Sequence, residues 1–208
     1  MQKNVIFAIS VFFCVLSLLS CPKGELDEPT PTPTDPYLGG GGNTGGSSGG
    51  AQLEDYRSPT IGTLRAIPPG SFQRDSDSAN ISVITEPFRI SSREISRENY
   101  IAVMNQDPVL MNNSASSSSG TRDPVMQVNW YHAITFCNRL SSLEGLDPVY
   151  EVKVGGVAVN WDTVDVPINP NADWNAAIAV WANNGYRLPT EMEWMWAAMG
   201  APADGQGQ

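Results

Sequence analysis

A long stretch near the N-terminus has the composition of a linker, so a folded domain can form only outside it. Residues 22–36 are rich in proline, threonine and acidic residues, and residues 39–50 contain only glycine, serine, asparagine and threonine. The first composition favours extended polyproline II geometry and the second a flexible coil. Neither can bury enough apolar surface to fold. We therefore predict a linker over residues 21–60 and a folded domain over residues 61–208.

The N-terminal segment has the organisation of a bacterial export signal. Lys3 is followed by an apolar run, Val5 to Leu19, which is shorter than the ~20 apolar residues that a membrane-spanning helix needs. The run ends in Leu18-Leu19-Ser20-Cys21, which resembles the lipobox of bacterial lipoproteins. The resemblance implies a signal peptide over residues 1–20, cleaved before Cys21, and a diacylglycerol on the Cys21 thiol. An ordinary secretory signal would carry Ala-x-Ala before its cleavage site, and this sequence has none there.

The expected location is the cell envelope, with the lipid on Cys21 holding the protein at a membrane and residues 22–60 acting as a stalk. Two or three acyl chains bind a bilayer far more strongly than a single chain does. The sequence leaves open whether this is the inner or the outer membrane, which face carries the domain, and whether the chain oligomerises.

Charge and cysteine content exclude several classes of function. The formal net charge is −10, which makes nucleic acid a poor partner because phosphate binding requires basic patches. The chain has three cysteines and one histidine, His132. Cys14 belongs to the signal and Cys21 is assigned to the lipid, so only Cys137 remains. A mature chain with one thiol forms no internal disulfide, and it offers no cluster of histidine and cysteine for a metal.

Apolar periodicity within residues 61–208 predicts both strands and helices. Residues 61–67 and 88–90 are strand-like, and residues 150–154 and 157–159 favour a hairpin about Gly155-Gly156. Four helices are expected from their N-terminal signals. They begin after Ser96, after Asn129, after Asp173, and at a capping box formed by Thr190 and Glu193. The second helix should end at Gly145 in a left-handed conformation. The third is predicted from the helical spacing of Trp174, Ala177, Ile178 and Trp181.

One long motif resembles a known family. Gly185-Tyr-Arg-Leu-Pro-Thr-Glu-Met-Glu-Trp194, followed by Ala197-Ala198, is similar to the G-Y-R-L-P-T-E-A-E-W segment of the formylglycine-generating enzyme (sulfatase-modifying factor) family. Met192 stands where the family usually has alanine. Upstream segments agree in the same order, so that the resemblance covers residues 61–203. These segments are Ile67–Phe72, Pro87–Tyr100, Pro124–Ser141 and Gly145–Tyr150.

The resemblance implies an irregular α+β fold related to C-type lectins. Active members of the family oxidise a cysteine of a sulfatase to formylglycine with O₂ and copper, and they also hold calcium. The family's copper-binding cysteine pair and most of its calcium ligands follow the segment that this chain contains. We therefore expect a partial domain, C-terminally truncated, in which no catalytic, cofactor-binding or metal-binding residue can be assigned.

Two functional hypotheses follow from the resemblance. The first is a lipid-anchored, non-catalytic module that binds a protein or carbohydrate ligand or has a structural role. The alternative is a fragment of a metal-dependent oxidase, generating formylglycine or oxidising sulfur in a related way, whose catalytic half is missing. A truncated product without function also remains open.

The residues that invite a catalytic assignment have simpler structural interpretations. Cys137 lies in the apolar stripe of the second helix, and His132, five residues earlier, is about 140° away around the helix axis. Cys137 is therefore expected to be a buried apolar residue rather than a nucleophile. Glu191 and Glu193 lie in the first turn of a helix, where carboxylates accept backbone hydrogen bonds and favour the dipole. Arg187 is expected to pair with a carboxylate inside the domain.

Tryptophan is the remaining candidate for a binding surface. The residues concerned are Trp130, Trp174, Trp181, Trp194 and Trp196. Most are expected in the core, because they fall on the apolar faces of predicted helices. A lectin-like surface lined by these rings is the alternative.

Overall fold

The computed structural model describes residues 53–108 and 118–201 in full, together with the backbone of residues 17–18 and 206–207. Its elements follow one another in this order: β1 Ser17–Leu18, β2 Tyr56–Ser58, β3 Gly62–Ile67, β4 Gly70–Gln73, β5 Ile81–Ile84, β6 Phe88–Ser91, α1 Arg97–Met104, α2 Trp130–Leu143, β7 Tyr150–Glu151, β8 Lys153–Val154, β9 Val157–Ala158, α3 Ala172–Asn175, β10 Ile178–Ala179, β11 Tyr186–Arg187, α4 Glu191–Ala198 and β12 Gln206–Gly207. Helices and strands are mixed along the chain, which confirms the predicted α+β class.

The central sheet has the strand order β11-β1-β6-β3-β2, with every neighbour antiparallel. Successive side chains of a strand point to opposite faces of the sheet, so its strands contribute residues to two different cores. Leu64 of β3 is buried on one face, where it joins the cluster around α2. Phe88 and Ile90 of β6 belong to a second, smaller cluster.

Helix α2 is the main element of the larger core. It begins where Asn129 accepts a hydrogen bond from the His132 N–H, and it ends just before Gly145, which adopts a left-handed φ of 72°. Its apolar stripe, including Ile134, Phe136 and Leu140, is fully buried. Helix α1 packs against it, and the Tyr100 and Phe136 rings stack with centroids 5.7 Å apart. Both helices and their predicted caps, Ser96 and Asn129, are confirmed.

The smaller core lies between a second sheet and α4. This sheet has the order β12-β4-β5, in which β12 runs parallel to β4. Phe72 of β4 stacks on Trp196 of α4 with ring centroids 5.8 Å apart. The predicted capping box at the start of α4 is confirmed, since Thr190 and Glu193 each accept a hydrogen bond from the other's backbone N–H.

Two sequence-based expectations require correction. Tyr56–Ser58, assigned to the linker by composition, forms edge strand β2 and pairs with Leu64–Gly62 of β3. The predicted third helix is only one turn long, Ala172–Asn175. Trp174 is buried, but Ile178 and Trp181 are exposed, so the apolar stripe has no continuous core to cover it. Ile178–Ala179 instead forms β10, which pairs with β7.

The predicted hairpin about Gly155-Gly156 is present, but it is shorter than expected. Lys153–Val154 pairs with Val157–Ala158, and both glycines have positive φ. Tyr150–Glu151, assigned to the same hairpin from the sequence, pairs with β10 instead. No helix in the described ranges is long and apolar enough to cross a membrane.

Candidate functional site

A cavity of about 920 Å³ lies where the start of α1 meets β2, the turn that follows β2 and the segment after β6. Thr60 and Gly62 come from the turn between β2 and β3, Ser92 and Arg93 from the segment after β6, and Asn99 from α1. This cavity, called here the arginine cavity, brings together four arginines and two glutamates. They are Arg57, Arg65, Arg93, Arg122, Glu94 and Glu98.

The wall of the arginine cavity is held by hydrogen bonds to the β2–β3 turn. The Ser58 hydroxyl oxygen accepts from the N–H groups of Thr60 and Ile61 at 3.1 and 3.0 Å. The Asn99 Nδ2 group donates to the Thr60 carbonyl at 2.7 Å, which ties the turn to the first part of α1. Ser96 caps this helix. The turn is therefore fixed on both sides, and the cavity is a preformed feature of the fold.

The charge of the arginine cavity is opposite to that of the chain. Four arginines face two glutamates there, whereas the whole chain carries −10. Arg65 forms an exposed ion pair with Asp55, 2.6 Å between Nη1 and Oδ2. The N–H of Ala66 and the guanidinium of Arg65 lower the pKa of Asp55. Within the described part of the chain, Arg57, Arg93 and Arg122 make no ion pair, so their charges are available to an anionic ligand.

A carboxylate behind the cavity joins three parts of the fold. Glu144 follows α2, and its side chain accepts hydrogen bonds from the hydroxyl groups of Ser58 at 2.6 Å and Tyr186 at 2.6 Å. Tyr56 lies at 3.4 Å from the same carboxylate. Burial and the hydrogen bond to Glu144 raise the pKa of Tyr186. Glu144 thus connects β2 and β11 to the end of α2.

Several residues of the motif that carries the family resemblance have a structural role. A side chain at Gly185 would place its Cβ 2.3 Å from the Asp147 carbonyl oxygen, so only glycine fits. Tyr186 donates to Glu144, and Arg187 forms a bidentate ion pair with Glu193 at 2.5 and 2.7 Å. The predicted pairing of Arg187 with an internal carboxylate is therefore confirmed.

Glu193 is consequently not an acid or base poised for proton transfer. Burial alone would raise its pKa, but the hydrogen bond and charge of Arg187 outweigh burial and lower it. The carboxylate stays ionised and also accepts the N–H of Thr190. Glu191 is exposed at the first position of α4 and makes no pair with Glu193 in the described structure. The expected structural interpretation holds for this pair.

Cys137 and His132 do not form a catalytic pair. The Cys137 side chain is 0% exposed, and burial raises the pKa of its thiol. His132 lies on another side of α2, where its Nδ1 is 2.6 Å from Asn129 Oδ1, and burial lowers the pKa of its ring. A protonated thiol without access to solvent is not a nucleophile.

The tryptophans divide between core and surface. Trp174 and Trp196 are buried as expected, whereas Trp130, Trp181 and Trp194 are exposed. The ring of Trp181 covers the guanidinium of Arg187, 4.8 Å from its centroid to Cζ. The prediction of a core position is therefore wrong for these three. These three residues belong to α2, to the loop after β10 and to α4.

The described residues do not fit the copper site of the family's active members. No group of three or more histidine, cysteine or acidic side chains that could hold a metal occurs in residues 53–108 and 118–201. Copper in that chemistry requires accessible thiolates, and the thiol within these ranges is that of buried Cys137. Cys21, the predicted lipidation site, lies outside the described residues.

Comparison with known proteins agrees with this architecture. A chaperone protein, LppX of Paenibacillus barcinonensis, is 34% identical over 141 residues, which are 66% of this chain and 45% of the relative. The structure of Treponema denticola variable protein 1 aligns with a TM-score of 0.60 and 34% identity over 70% of this chain and 56% of that one. The chain thus spans about half the length of these relatives. The sequence model of the sulfatase-modifying factor enzyme 1-like domain matches residues 52–207. The chain therefore belongs to the sulfatase-modifying factor enzyme 1-like family and has its α+β fold.

Proposed function

We propose that this protein is a lipid-anchored component of the bacterial cell envelope that displays a non-catalytic binding module. The anchor is the lipid on Cys21, at the end of the apolar run, and residues 22–52 form the stalk. The stalk composition supports this arrangement, because a Pro-rich segment followed by a Gly-rich coil separates a domain from a surface.

The arginine cavity carries the proposal of binding rather than catalysis. In this large recess several charged side chains of the described structure meet, and none of them is a thiolate or an imidazole. The side chains considered for catalysis lie outside the cavity. Cys137 is buried, and Glu193 forms an ion pair with Arg187. We propose that the module acts without a redox metal.

The similarity to a protein named a chaperone supports a polypeptide as the ligand. Chaperones bind exposed segments of other polypeptides, and a protein held at a membrane meets such segments as exported chains emerge. The chain covers 45% of that relative, so the shared activity is a proposal that rests on the shared region.

The experiment measures lipid attachment and membrane association of the same protein. Cells expressing the full chain are labelled with radioactive palmitate and extracted with a detergent that separates membrane from aqueous proteins. We expect label and detergent partitioning for the natural chain, and neither for Cys21→Ser. Label on the Cys21→Ser variant, or an aqueous natural chain, contradicts the anchor. Copper-dependent O₂ consumption by the purified protein with a cysteine peptide contradicts the non-catalytic module.

A further inference from the structure

A groove of about 440 Å³ lies beside the β8–β9 hairpin, and it shares no lining residue with the arginine cavity. Its lining comes from the hairpin, from the segment between β9 and α3, and from α3 itself. The apolar part of this lining includes Val154, Val157, Val159 and Val164, and the groove is called the valine groove below. All of its lining residues fall within residues 154–174, which the structure describes without a gap.

Hydrogen bonds fix the shape of the valine groove. At the turn of the hairpin, the Gly155 N–H donates to Asp173 Oδ2 at 3.1 Å, which ties the hairpin to α3. Asn129 Nδ2 donates to the Pro167 carbonyl oxygen at 2.8 Å, which attaches the segment before α3 to the start of α2. Trp174, which also lines the groove, belongs to the larger core. The groove is therefore formed before any ligand binds.

The hairpin presents apolar side chains to solvent at this groove. Val154 is 44% exposed and Val157 is 71% exposed, and the two residues are opposite each other in the ladder between β8 and β9. Ile168, which follows the lining residue Pro167, is 80% exposed. Exposed branched side chains beside an apolar groove form the kind of patch that marks a contact site for another molecule.

The charge near the valine groove indicates which molecule this is. Residues 151–175 contain four acidic residues and one basic residue, Lys153. Asp165 lines the groove, and Asp173 lies at the turn of the hairpin. None of the four acidic side chains forms an ion pair within the described ranges. This excess of negative charge repels the anionic headgroups of a bilayer and attracts a polypeptide that carries lysine or arginine.

We infer that the valine groove binds a segment of another polypeptide in which apolar residues are flanked by lysine or arginine. The apolar side chains of this segment contact Val154 and Val157, and its cationic side chains pair with Asp165. The inference rests on the proposed function, because the ligand is taken to be a polypeptide, and it adds the kind of segment that is recognised. The valine groove and the arginine cavity thus prefer ligands of opposite charge.

The test uses the full protein, purified in detergent, and a fluorescent peptide in which leucines are flanked by lysines. A matched peptide has serines in place of the lysines, so that it keeps the apolar part and loses the charge. Fluorescence anisotropy should show saturable binding of the lysine peptide that weakens as salt is added. The serine peptide should bind about tenfold more weakly, and its binding should depend little on salt.

Protein variants separate the apolar and the charged parts of the site. Val157→Ser should weaken binding of the lysine peptide about tenfold, because one valine side chain no longer contributes apolar contact. Val83→Ser is the matched control, since Val83 is 63% exposed on β5 and does not line the groove. Asp165→Asn should reduce the salt dependence of binding, whereas Asp147→Asn, at an exposed position outside the groove, should leave it unchanged.

A chemical probe measures access to the groove directly. A charged maleimide should modify Val157→Cys in the full protein, and the lysine peptide should slow this reaction. The protein without the substitution gives the background, because the thiol of Cys137 is buried.

Several outcomes overturn the inference. Equal losses for Val157→Ser and Val83→Ser, or no binding of the lysine peptide, show that the groove does not accept it. Equal binding of the serine peptide shows that charge has no part in recognition. A Val157→Cys variant that does not react without peptide shows that another part of the protein already covers the groove. Each of these results leaves palmitate labelling of Cys21 unchanged, so the proposed anchor is tested separately.

Discussion

At the residue scale, the ionisable groups considered as candidates for catalysis form hydrogen bonds and ion pairs within the fold. Arg187 and Glu193 neutralise each other within the fold, and Glu144 is engaged by the Ser58 and Tyr186 hydroxyl groups. Burying such a group without a partner costs free energy, and here each of them has one. Three arginines of the cavity, Arg57, Arg93 and Arg122, are different, because they are exposed and make no ion pair among the described residues.

His132 is the single histidine, and it should give the stability of the protein a distinct pH dependence. Burial lowers the pKa of His132, so the unfolded chain takes up this proton at a higher pH than the folded chain does. The contribution to stability is present above the unfolded pKa of about 6.5 and is lost as pH falls through the lower folded value.

Urea unfolding of the natural chain at several pH values between 7.5 and 5.5 should therefore show a falling free energy of unfolding. His132→Gln should make the profile flatter over the same range. If the variant keeps the full pH dependence, a group other than His132 is responsible for it.

At the element scale, helix ends are specified by local side chains, and helix lengths by the cores that the helices meet. Helices α1, α2 and α4 each begin at a side chain that accepts a backbone N–H of the first turn: Ser96, Asn129 and Thr190. The segment after Asn171 also has such a cap, but its helix ends after one turn. A cap starts a helix, and the helix continues only where its apolar stripe is covered.

Thr190 provides a test of how much a cap contributes to this domain. Thr190→Ala removes the acceptor for the Glu193 N–H, and we expect it to lower the free energy of unfolding by about 1 kcal/mol. Thr190→Ser keeps the hydroxyl and should lose only a small part of this. Denaturant unfolding measures both variants, and equal losses would show that the methyl group rather than the cap matters.

Features that depend on neighbouring residues were predicted from the sequence more successfully than features that depend on pairing between distant segments. The caps Ser96, Asn129 and Thr190, together with Gly145 and the Gly155-Gly156 turn, depend on neighbours in sequence and were found as predicted. The third helix is an exception, because its cap is Asn171 and not Asp173. Strand β2 and strand β10 were not predicted, because a short strand is defined by a distant partner rather than by its own residues. The arginine cavity was missed for the same reason. Its arginines are far apart in sequence, and an excess over acidic residues is visible only in residues 57–65, which contain two arginines and no acidic residue.

At the scale of the whole molecule, the domain is assembled from two cores that share one sheet. Strand β6 contributes to the smaller core through Phe88 and Ile90, while its neighbour β3 contributes Leu64 to the larger one. One sheet therefore contributes side chains to both cores. Glu144 reinforces this arrangement, because it connects the entry of the chain at β2 with the exit of α2 and with β11.

Glu144→Ala should loosen the start of the domain. The change leaves the hydroxyl groups of Ser58 and Tyr186 without their acceptor, and we expect a loss of about 3 kcal/mol from the hydrogen bonds to a charged group. Limited trypsin digestion should then cleave at Arg57 or Arg65 faster than in the natural chain. Glu144→Gln keeps an acceptor and should retain most of the protection; unchanged digestion of the alanine variant would show that the connection is not needed.

Under the proposed function, in which residues 22–52 form a stalk, the position of β2 at the edge of the sheet has a mechanical consequence. Tension along the stalk reaches the fold at residues 53–56, where the first attachments are the Arg65–Asp55 ion pair and the hydrogen bond from Arg89 Nε to the Glu54 carbonyl. If these yield, force passes to the ladder between β2 and β3, and next to the Ser58–Glu144 hydrogen bond. Tension would therefore first detach the short edge strand β2. The Ser58–Glu144 hydrogen bond at the end of α2 would oppose further extension before either core is disrupted.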